Sequence, residues 1–104
     1  MKIAILGGRS STAGFRALGL DTFTAPTPAD ARDVWKRVAA EQYAVIFVTE
    51  PEYEVLADEL EPYRSQVYPV ITVIPAVEGG RHIGRDEIRA LVERAVGMDV
   101  MFKE

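Results

Sequence analysis

The chain has 104 residues, a length that suits one small domain and leaves no room for a second. Its hydrophobic content of 48% and charged content of 27% are those of an ordinary globular protein, which argues against a fibrous or disordered chain. The net charge of −4, without a basic stripe, argues against nucleic acid as a partner, because phosphate binding depends on clusters of Lys and Arg.

Cysteine is absent and His82 is the single histidine. The sequence therefore lacks the residues for disulfides, thiolate nucleophiles and the common zinc sites, and we predict no metal and no other cofactor. The amino-terminal apolar run is very short and lacks a small-residue cleavage site, so it is not typical of a signal peptide. The longest apolar stretch, residues 70–77, is far below bilayer length. We expect a cytoplasmic protein without direct membrane insertion.

The first predicted unit is a strand followed by a short helix. Residues 3–6 form a continuous apolar run closed by two glycines, which is typical of a strand buried on both faces of a sheet. Three hydroxyl residues can cap the helix that follows: Ser10, Ser11 and Thr12. Phe15 and Leu18 are its predicted inward residues, and Gly19 is its predicted end.

The second unit is a weaker strand and the clearest helix of the chain. Residues 20–24 are β-like and stand just before Pro26, which favours an edge strand. Thr27, Pro28 and Asp30 then mark a helix start by a side-chain cap, a fixed φ and a favourable charge. The apolar residues that follow keep helical spacing for two turns: Ala31, Val34, Trp35, Val38 and Ala39.

Residues 44–48 are apolar and rich in β-branched side chains, which predicts a central strand. A third helix follows, with Thr49 and Glu52 at capping-box spacing and Pro62 at its end. Its predicted inward residues are Tyr53, Leu56, Ala57 and Leu60. Its acidic residues are Glu50, Glu52, Glu54, Asp58, Glu59 and Glu61. We interpret these carboxylates as a solvated face, with a basic partner or a hard cation as alternatives.

Residues 70–74 form the fourth apolar run, entered through Pro69 and left through Pro75. A glycine-containing loop then leads to a last helix, which begins at Asp86 and ends at Gly97. Its predicted inward residues share one face: Ile88, Leu91, Val92 and Ala95.

Strict alternation of strands and helices predicts an α/β fold with a four-stranded parallel sheet and helices on both faces, in Rossmann-like or flavodoxin-like order. We assign residues 1–96 to this compact domain and residues 97–104 to a C-terminal tail. In such a sheet a small ligand would lie at the carboxyl ends of the strands, near Gly7, Thr49 and Pro75.

The segment from Gly7 to Gly14 is the candidate ligand loop at that edge. Its glycines and hydroxyls before a helix are compatible with a phosphate cradle. However, it lacks the lysine of a P-loop and the glycine spacing of a dinucleotide fingerprint. A plain strand-to-helix turn is therefore favoured, and a small flavodoxin-like domain that binds phosphate or flavin is the alternative.

Catalysis and phosphoacceptor chemistry find little support in the sequence. A receiver-type phosphoacceptor needs an Asp at the end of the third strand, where Val48 and Thr49 stand instead. The residues that an enzyme would have to use are Glu50, His82 and Ser10. Because no nucleophile can be placed beside a base, we predict no catalytic residues.

Four stretches of the chain resemble the F subunits of the archaeal and bacterial V-type (A-type) ATP synthases and ATPases. They are Lys2-Ile-Ala-Ile-Leu-Gly7, Thr12-Ala-Gly-Phe-Arg-Ala-Leu-Gly-Leu20, Val70-Ile-Thr-Val-Ile-Pro75 and Arg94-Ala-Val-Gly-Met-Asp-Val100. The second and the fourth are the most specific, and the resemblance extends over nearly the whole chain although each stretch is short. The resemblance implies a Rossmann-like body and a non-catalytic rotor component that binds the coiled-coil D subunit in the central stalk.

The resemblance also implies that the C-terminal segment extends toward the stalk and the catalytic head. The implied neighbours are the A and B subunits of the head and the other stalk subunits, in a complex peripheral to the cell membrane that couples ATP turnover to proton or sodium ion transport. The predicted partner-binding residues are an apolar set with two arginines at its rim: Val96, Met98, Val100, Met101, Phe102, Arg85 and Arg89. The alternative is intramolecular, with Met98 and Val100 closing the open face of the sheet.

Overall fold

The computed structural model describes residues 2–76, together with residues 89, 90 and 93. Its helices and strands are β1 (Ile3–Gly7), α1 (Arg9–Arg16), β2 (Asp21–Thr24), α2 (Ala31–Ala39), β3 (Val45–Thr49), α3 (Glu50–Leu60) and β4 (Val70–Ile74). Two 3₁₀ segments, Pro28–Asp30 and Glu61–Ser65, lead into α2 and out of α3. The predicted alternation is thus confirmed as far as β4. Most of the predicted fourth helix lies outside the described residues. Three of its residues are described, Arg89, Ala90 and Glu93, and all three are helical.

The four strands form one parallel sheet in the order β2-β1-β3-β4. Strands β1 and β3 are therefore central, whereas β2 and β4 are edges, as predicted for residues 20–24 and 44–48. The chain runs outward from β1 to β2 and then crosses back to β3. The strand order therefore reverses between β1 and β3, which is where doubly wound sheets form their ligand crevice.

Successive side chains of the central strands point into two separate apolar layers. Ala4, Leu6, Ile46 and Val48 lie with the buried residues of α2 and α3. Ile3, Ile5, Val45 and Phe47 lie on the opposite face, where the ring of Phe15 from α1 packs 6.0 Å from that of Phe47, centre to centre. Because both faces carry helices, every residue of β1 and β3 is buried.

Helix α1 begins earlier than the sequence predicts. Gly8 is its N-cap, and the Gly8 carbonyl accepts a hydrogen bond of 3.0 Å from the Thr12 backbone N–H. The three predicted capping residues, Ser10, Ser11 and Thr12, therefore lie inside the first turn and a half. That prediction is wrong because Ser11 and Thr12 are turned toward the sheet and buried, so the chain must enter the helix before them.

The other helix boundaries follow their sequence signals. Gly19 has a φ of 83°, the left-handed conformation that glycine adopts at low cost after a helix. The Thr27 backbone N–H and hydroxyl donate to the Asp30 carboxylate at 3.1 and 2.9 Å, which fixes the entry to α2. Trp35 is buried on the inner face of α2, as its spacing predicts.

Candidate functional site

The predicted ligand edge is closed by a contact between β1 and β3. A Cβ atom built on Gly7 would lie 2.7 Å from Thr49 Oγ1 and 2.9 Å from Thr49 Cγ2. The Thr49 side chain is fully buried. Glycine at position 7 therefore lets Thr49 occupy the crevice between the two central strands, where a ligand would lie in a doubly wound sheet.

Glu52 is the buried carboxylate of this edge. It is only 4% exposed, and it accepts a hydrogen bond from the Thr49 hydroxyl. The carboxylate lies in the first turn of α3, where the helix dipole favours a negative charge. Each of these two buried polar side chains therefore has the other as its hydrogen-bond partner.

This placement corrects the prediction that all the acidic residues of α3 form a solvated face. Glu52 precedes the buried Leu56 and Leu60 by one and two turns, so helical geometry points it at the sheet. The spacing of Thr49 and Glu52 does mark a local pair, as predicted. However, the bond joins two side chains, and Thr49 makes no side-chain cap to the backbone of α3.

Two of the three hydroxyl residues of the candidate phosphate loop, Ser11 and Thr12, are buried, whereas Ser10 is exposed. Thr12 Oγ1 donates to the Gly8 carbonyl at 3.1 Å and lies 2.9 Å from Thr24 Oγ1 at the end of β2. Ser11 is buried beside it. These contacts hold α1 against β2 and favour the strand-to-helix turn over a phosphate cradle.

The remaining acidic residues of α3 separate into two groups. Glu59 pairs with Arg32 of α2 at 3.0 Å and Glu61 pairs with Arg64 at 3.1 Å. Glu50, Glu54 and Asp58 are exposed, and within residues 2–76 no ion pair reaches them. The described part of the chain holds no group of three His, Cys, Asp or Glu side chains that could ligate a metal ion.

A groove of mixed polarity, which the sequence did not predict, lies beside the edge strand β4. It has a volume of about 490 Å³ and is lined by Tyr53, Leu60, Tyr63, Arg64, Gln66, Pro69, Val70, Ile71 and Val73. The large hydrophobic side chains that stay exposed in the described residues all follow this edge: Val67, Tyr68, Val70 and Val73. The sequence of residues 67–73 does contain a signal for this surface. Strand β4 and the residues just before it are apolar on both faces, and an edge strand leaves some of those side chains exposed.

A polar cluster lies at the amino-terminal ends of the strands, opposite the edge formed by their carboxyl ends. The Tyr43 hydroxyl donates to the Asp21 carboxylate at 2.8 Å, and Lys2 Nζ lies 4.9 Å from the centre of the Tyr43 ring and 3.3 Å from Glu41. Burial of the phenol, the hydrogen bond to Asp21 and the negative charges of Asp21 and Glu41 raise the pKa of Tyr43 well above its usual value. The cluster joins β2 to the start of β3.

Most of the predicted partner-binding residues lie outside the described residues: Arg85, Val96, Met98, Val100, Met101 and Phe102. His82 lies outside them too. Arg89 is described, and it is exposed and pairs with Glu93 at 3.3 Å, one helical turn away. The partner-binding set therefore stays a prediction. None of the helices in the described part of the chain is long and apolar enough to cross a bilayer.

Comparison with known proteins identifies the family. A sequence model of the family described as ATP synthase (F/14-kDa) subunit matches residues 3–92. The F subunit of the V-type ATP synthase of Clostridium perfringens is 37% identical over 100 residues, which cover 96% of this chain and 95% of that protein. The corresponding protein of Fusobacterium nucleatum is 35% identical, with 96% and 95% covered.

An archaeal relative extends the same likeness. The F subunit of the A-type ATP synthase of Methanothermobacter thermautotrophicus is 28% identical over 105 residues, which cover 95% of each chain. The matches run through all four strands of the sheet as well as the edge closed by Gly7 and Thr49. The chain therefore belongs to the family of ATP synthase (F/14-kDa) subunits.

Proposed function

We propose that the chain is a non-catalytic component of the central stalk of a V-type or A-type ATP synthase. In this role it binds the coiled-coil D subunit of the stalk, lies near the A and B subunits of the head and the other stalk subunits, and helps to couple ATP turnover to proton or sodium ion transport. The complex would hold it on the cytoplasmic side, peripheral to the membrane. The observation that carries the proposal is the family match over residues 3–92.

The closed ligand edge supports a role in binding rather than in catalysis. Thr49 occupies the crevice between β1 and β3, and its hydroxyl is bonded to the buried Glu52. A nucleotide or flavin phosphate placed there would have to displace this pair and leave a buried carboxylate without its donor. This geometry counts against the alternative, a flavodoxin-like domain that takes phosphate or flavin at the loop from Gly7 to Gly14.

In this proposal the stalk contact is made by the end of the chain. Residues 1–96 serve as the compact body and residues 97–104 as the tail, with Val96, Met98, Val100, Met101 and Phe102 as apolar anchors. Arg85 and Arg89 would lie at the polar rim of the contact. Exposed Arg89 on a helical turn is compatible with this placement. A few well-packed apolar anchors carry most of the free energy of such interfaces.

Two measurements on the purified chain test the proposal against its alternative. Mixed with the D subunit, the chain is expected to co-elute as a complex in size-exclusion chromatography. Alone, it is expected to show no ATP hydrolysis and no rise in melting temperature with FMN, ATP or phosphate. A ligand present at 100 times its Kd stabilises a folded protein by about 2.7 kcal/mol, so a true cofactor would give a clear shift. Such a shift, without binding to the D subunit, would replace the stalk proposal by the flavodoxin-like one.

A further inference from the structure

A cavity near the amino-terminal ends of the strands, which we call the aromatic cavity, combines aromatic walls with negative charge. It has a volume of about 320 Å³ and lies between the end of α2, the start of β3 and the segment that leads into β4. We propose that it binds an alkylguanidinium group, the side chain of an arginine on another polypeptide. The inference goes beyond the proposed function, because none of the described residues that line the cavity belongs to the predicted stalk contact at residues 85–102.

The walls of the aromatic cavity include four aromatic side chains: Trp35, Tyr43, Tyr63 and Tyr68. The rings of Trp35 and Tyr63 stand at 85° to each other with their centres 5.5 Å apart, so they form two walls at right angles. Tyr68 is 64% exposed, so its ring is open to a bound group. Aromatic faces attract cations, and the planar guanidinium of arginine also stacks on them.

The charge of the aromatic cavity favours a cation. Among the described residues that line it, Glu41 is the one side chain charged at neutral pH, and Gln42 adds an amide oxygen. Val38 and Ala39 also line it, and they belong to the last turn of α2, where the helix dipole is negative. These groups accept hydrogen bonds, and the guanidinium of arginine supplies five N–H donors.

The protein itself places a cation beside this cavity. Lys2 Nζ lies 4.9 Å from the centre of the Tyr43 ring and 3.3 Å from Glu41 Oε1, although Lys2 does not line the cavity. The side chains of Lys2 and Glu41 are both more than half exposed, so water screens their pair and a second cation can still approach Glu41. Arg37 lines a neighbouring cavity instead. None of the described residues that line the aromatic cavity is therefore a cation.

Arginine fits the aromatic cavity better than lysine or a metal ion does. Val38, Ile46 and Pro69 supply apolar surface for the methylene groups of the side chain. An ammonium group is strongly hydrated and would lose water against these walls, whereas a guanidinium is weakly hydrated. A metal ion would need several ligands, and the described residues hold no group of three His, Cys, Asp or Glu side chains that could supply them. Because Tyr68 and Glu41 are exposed, an arginine on the surface of a neighbouring polypeptide can reach the cavity.

The fluorescence of Trp35 tests the proposal, because Trp35 is the single tryptophan of the chain and lines the cavity. The probes are N-acetyl-arginine methylamide and the corresponding citrulline derivative, which has nearly the same shape but no charge. In titrations of the purified chain, the arginine probe should change the fluorescence with a Kd at least about fivefold lower than that of the citrulline probe. Equal Kd values, or no saturable change with the arginine probe, would overturn the proposal.

Substitutions of two exposed residues test whether the probe binds in this cavity. Glu41→Gln should raise the Kd of the arginine probe by at least about threefold, whereas Glu54→Gln, at the opposite ends of the strands, should leave it unchanged. Tyr68→Leu should also raise that Kd by at least about threefold, and Tyr68→Phe should retain the wild-type value, because the aromatic face makes the contact. An unchanged Kd in either Glu41→Gln or Tyr68→Leu would overturn the assignment to the aromatic cavity.

Photocrosslinking in the assembled complex tests the source of the arginine. A photoreactive amino acid at Tyr68 should crosslink to another subunit, within a few residues of an arginine, as identified by mass spectrometry. Crosslinks only to this chain, to a segment without arginine, or to nothing would overturn the assignment to a neighbouring polypeptide. These outcomes do not depend on whether the end of the chain binds the D subunit.

Discussion

Gly7 and Thr49 are matched across the two central strands: the absence of a side chain on β1 makes room for a buried threonine on β3. Thr49 Oγ1 lies 2.7 Å from where a Cβ atom of residue 7 would be. The same hydroxyl bonds to the buried carboxylate of Glu52. Three residues from β1, β3 and α3 thus close the edge at which related folds hold their ligands.

Gly7→Ser is expected to lower the free energy of unfolding by about 1–3 kcal/mol, because overpacking of a filled interior forces its neighbours out of their preferred positions. The control is Gly8→Ser at the next residue, where a Cβ atom would meet nothing within 4 Å and where serine is a good N-cap for α1. Urea unfolding of both variants measures the difference. Equal losses at the two positions would contradict the close approach.

The hydrogen bond between Thr49 and Glu52 predicts how substitutions of either residue change the free energy of unfolding. Thr49→Val replaces the hydroxyl by a methyl group and leaves the Glu52 carboxylate without its donor, which should cost about 1.5–3 kcal/mol of unfolding free energy. Adding Glu52→Leu should recover much of that loss, because the two partners are then both apolar. Chemical unfolding of the single and double variants gives these values.

The control for that experiment is Thr22→Val on the edge strand β2. The Thr22 hydroxyl accepts an exposed hydrogen bond of 3.3 Å from Arg16, so its removal should change the stability by less than about 0.5 kcal/mol. If Thr49→Val cost no more than Thr22→Val, the bond between Thr49 and Glu52 would not contribute to the fold.

The order of strands and helices was predictable because it depends on local pattern. Residues 3–6 and 44–48 are continuous apolar runs, and in the structure both form strands covered on two faces. The proline that follows residues 20–24 predicts an edge, and β2 is an edge strand. Thr27 and Asp30 are a local pair whose hydrogen bonds need no distant partner.

The site was less predictable because it depends on packing between distant segments. The residue type of Glu52 favours solvent, although its spacing from Leu56 places it against the sheet. The approach of Gly7 to Thr49 joins residues that are far apart in sequence. The groove beside β4 depends on how much of that strand α3 covers, and the sequence alone does not show whether Val73 is covered or exposed.

Tyr43 predicts a stability change at alkaline pH. Its pKa is raised in the folded protein by burial and by Asp21, so the folded state holds the phenolic proton more tightly than the unfolded state does. The resulting stabilisation is fully present below the unfolded pKa of about 10 and is lost as the pH rises from there toward the folded pKa. The free energy of unfolding of the wild type should therefore fall with rising pH in that range, and that of Tyr43→Phe should fall less steeply.

The measurement is denaturant unfolding at a series of pH values from neutral to strongly alkaline. Tyr43→Phe lacks the 2.8 Å bond to Asp21, so it should be less stable at neutral pH by an amount that does not vary there. The difference between wild type and variant should then shrink above about pH 10. If the unfolding free energies of the two proteins kept a constant difference at every pH, the raised pKa of Tyr43 would be contradicted.

Affinity for the coiled-coil D subunit of the stalk, with and without residues 98–104, tests the central proposal most directly. Titration calorimetry should show that the full chain binds and that the truncated chain binds at least about tenfold more weakly, a loss of about 1.4 kcal/mol. The two chains should share the same melting transition. Equal affinities would place the contact elsewhere on the molecule, and failure of the full chain to bind the D subunit would contradict the stalk function itself.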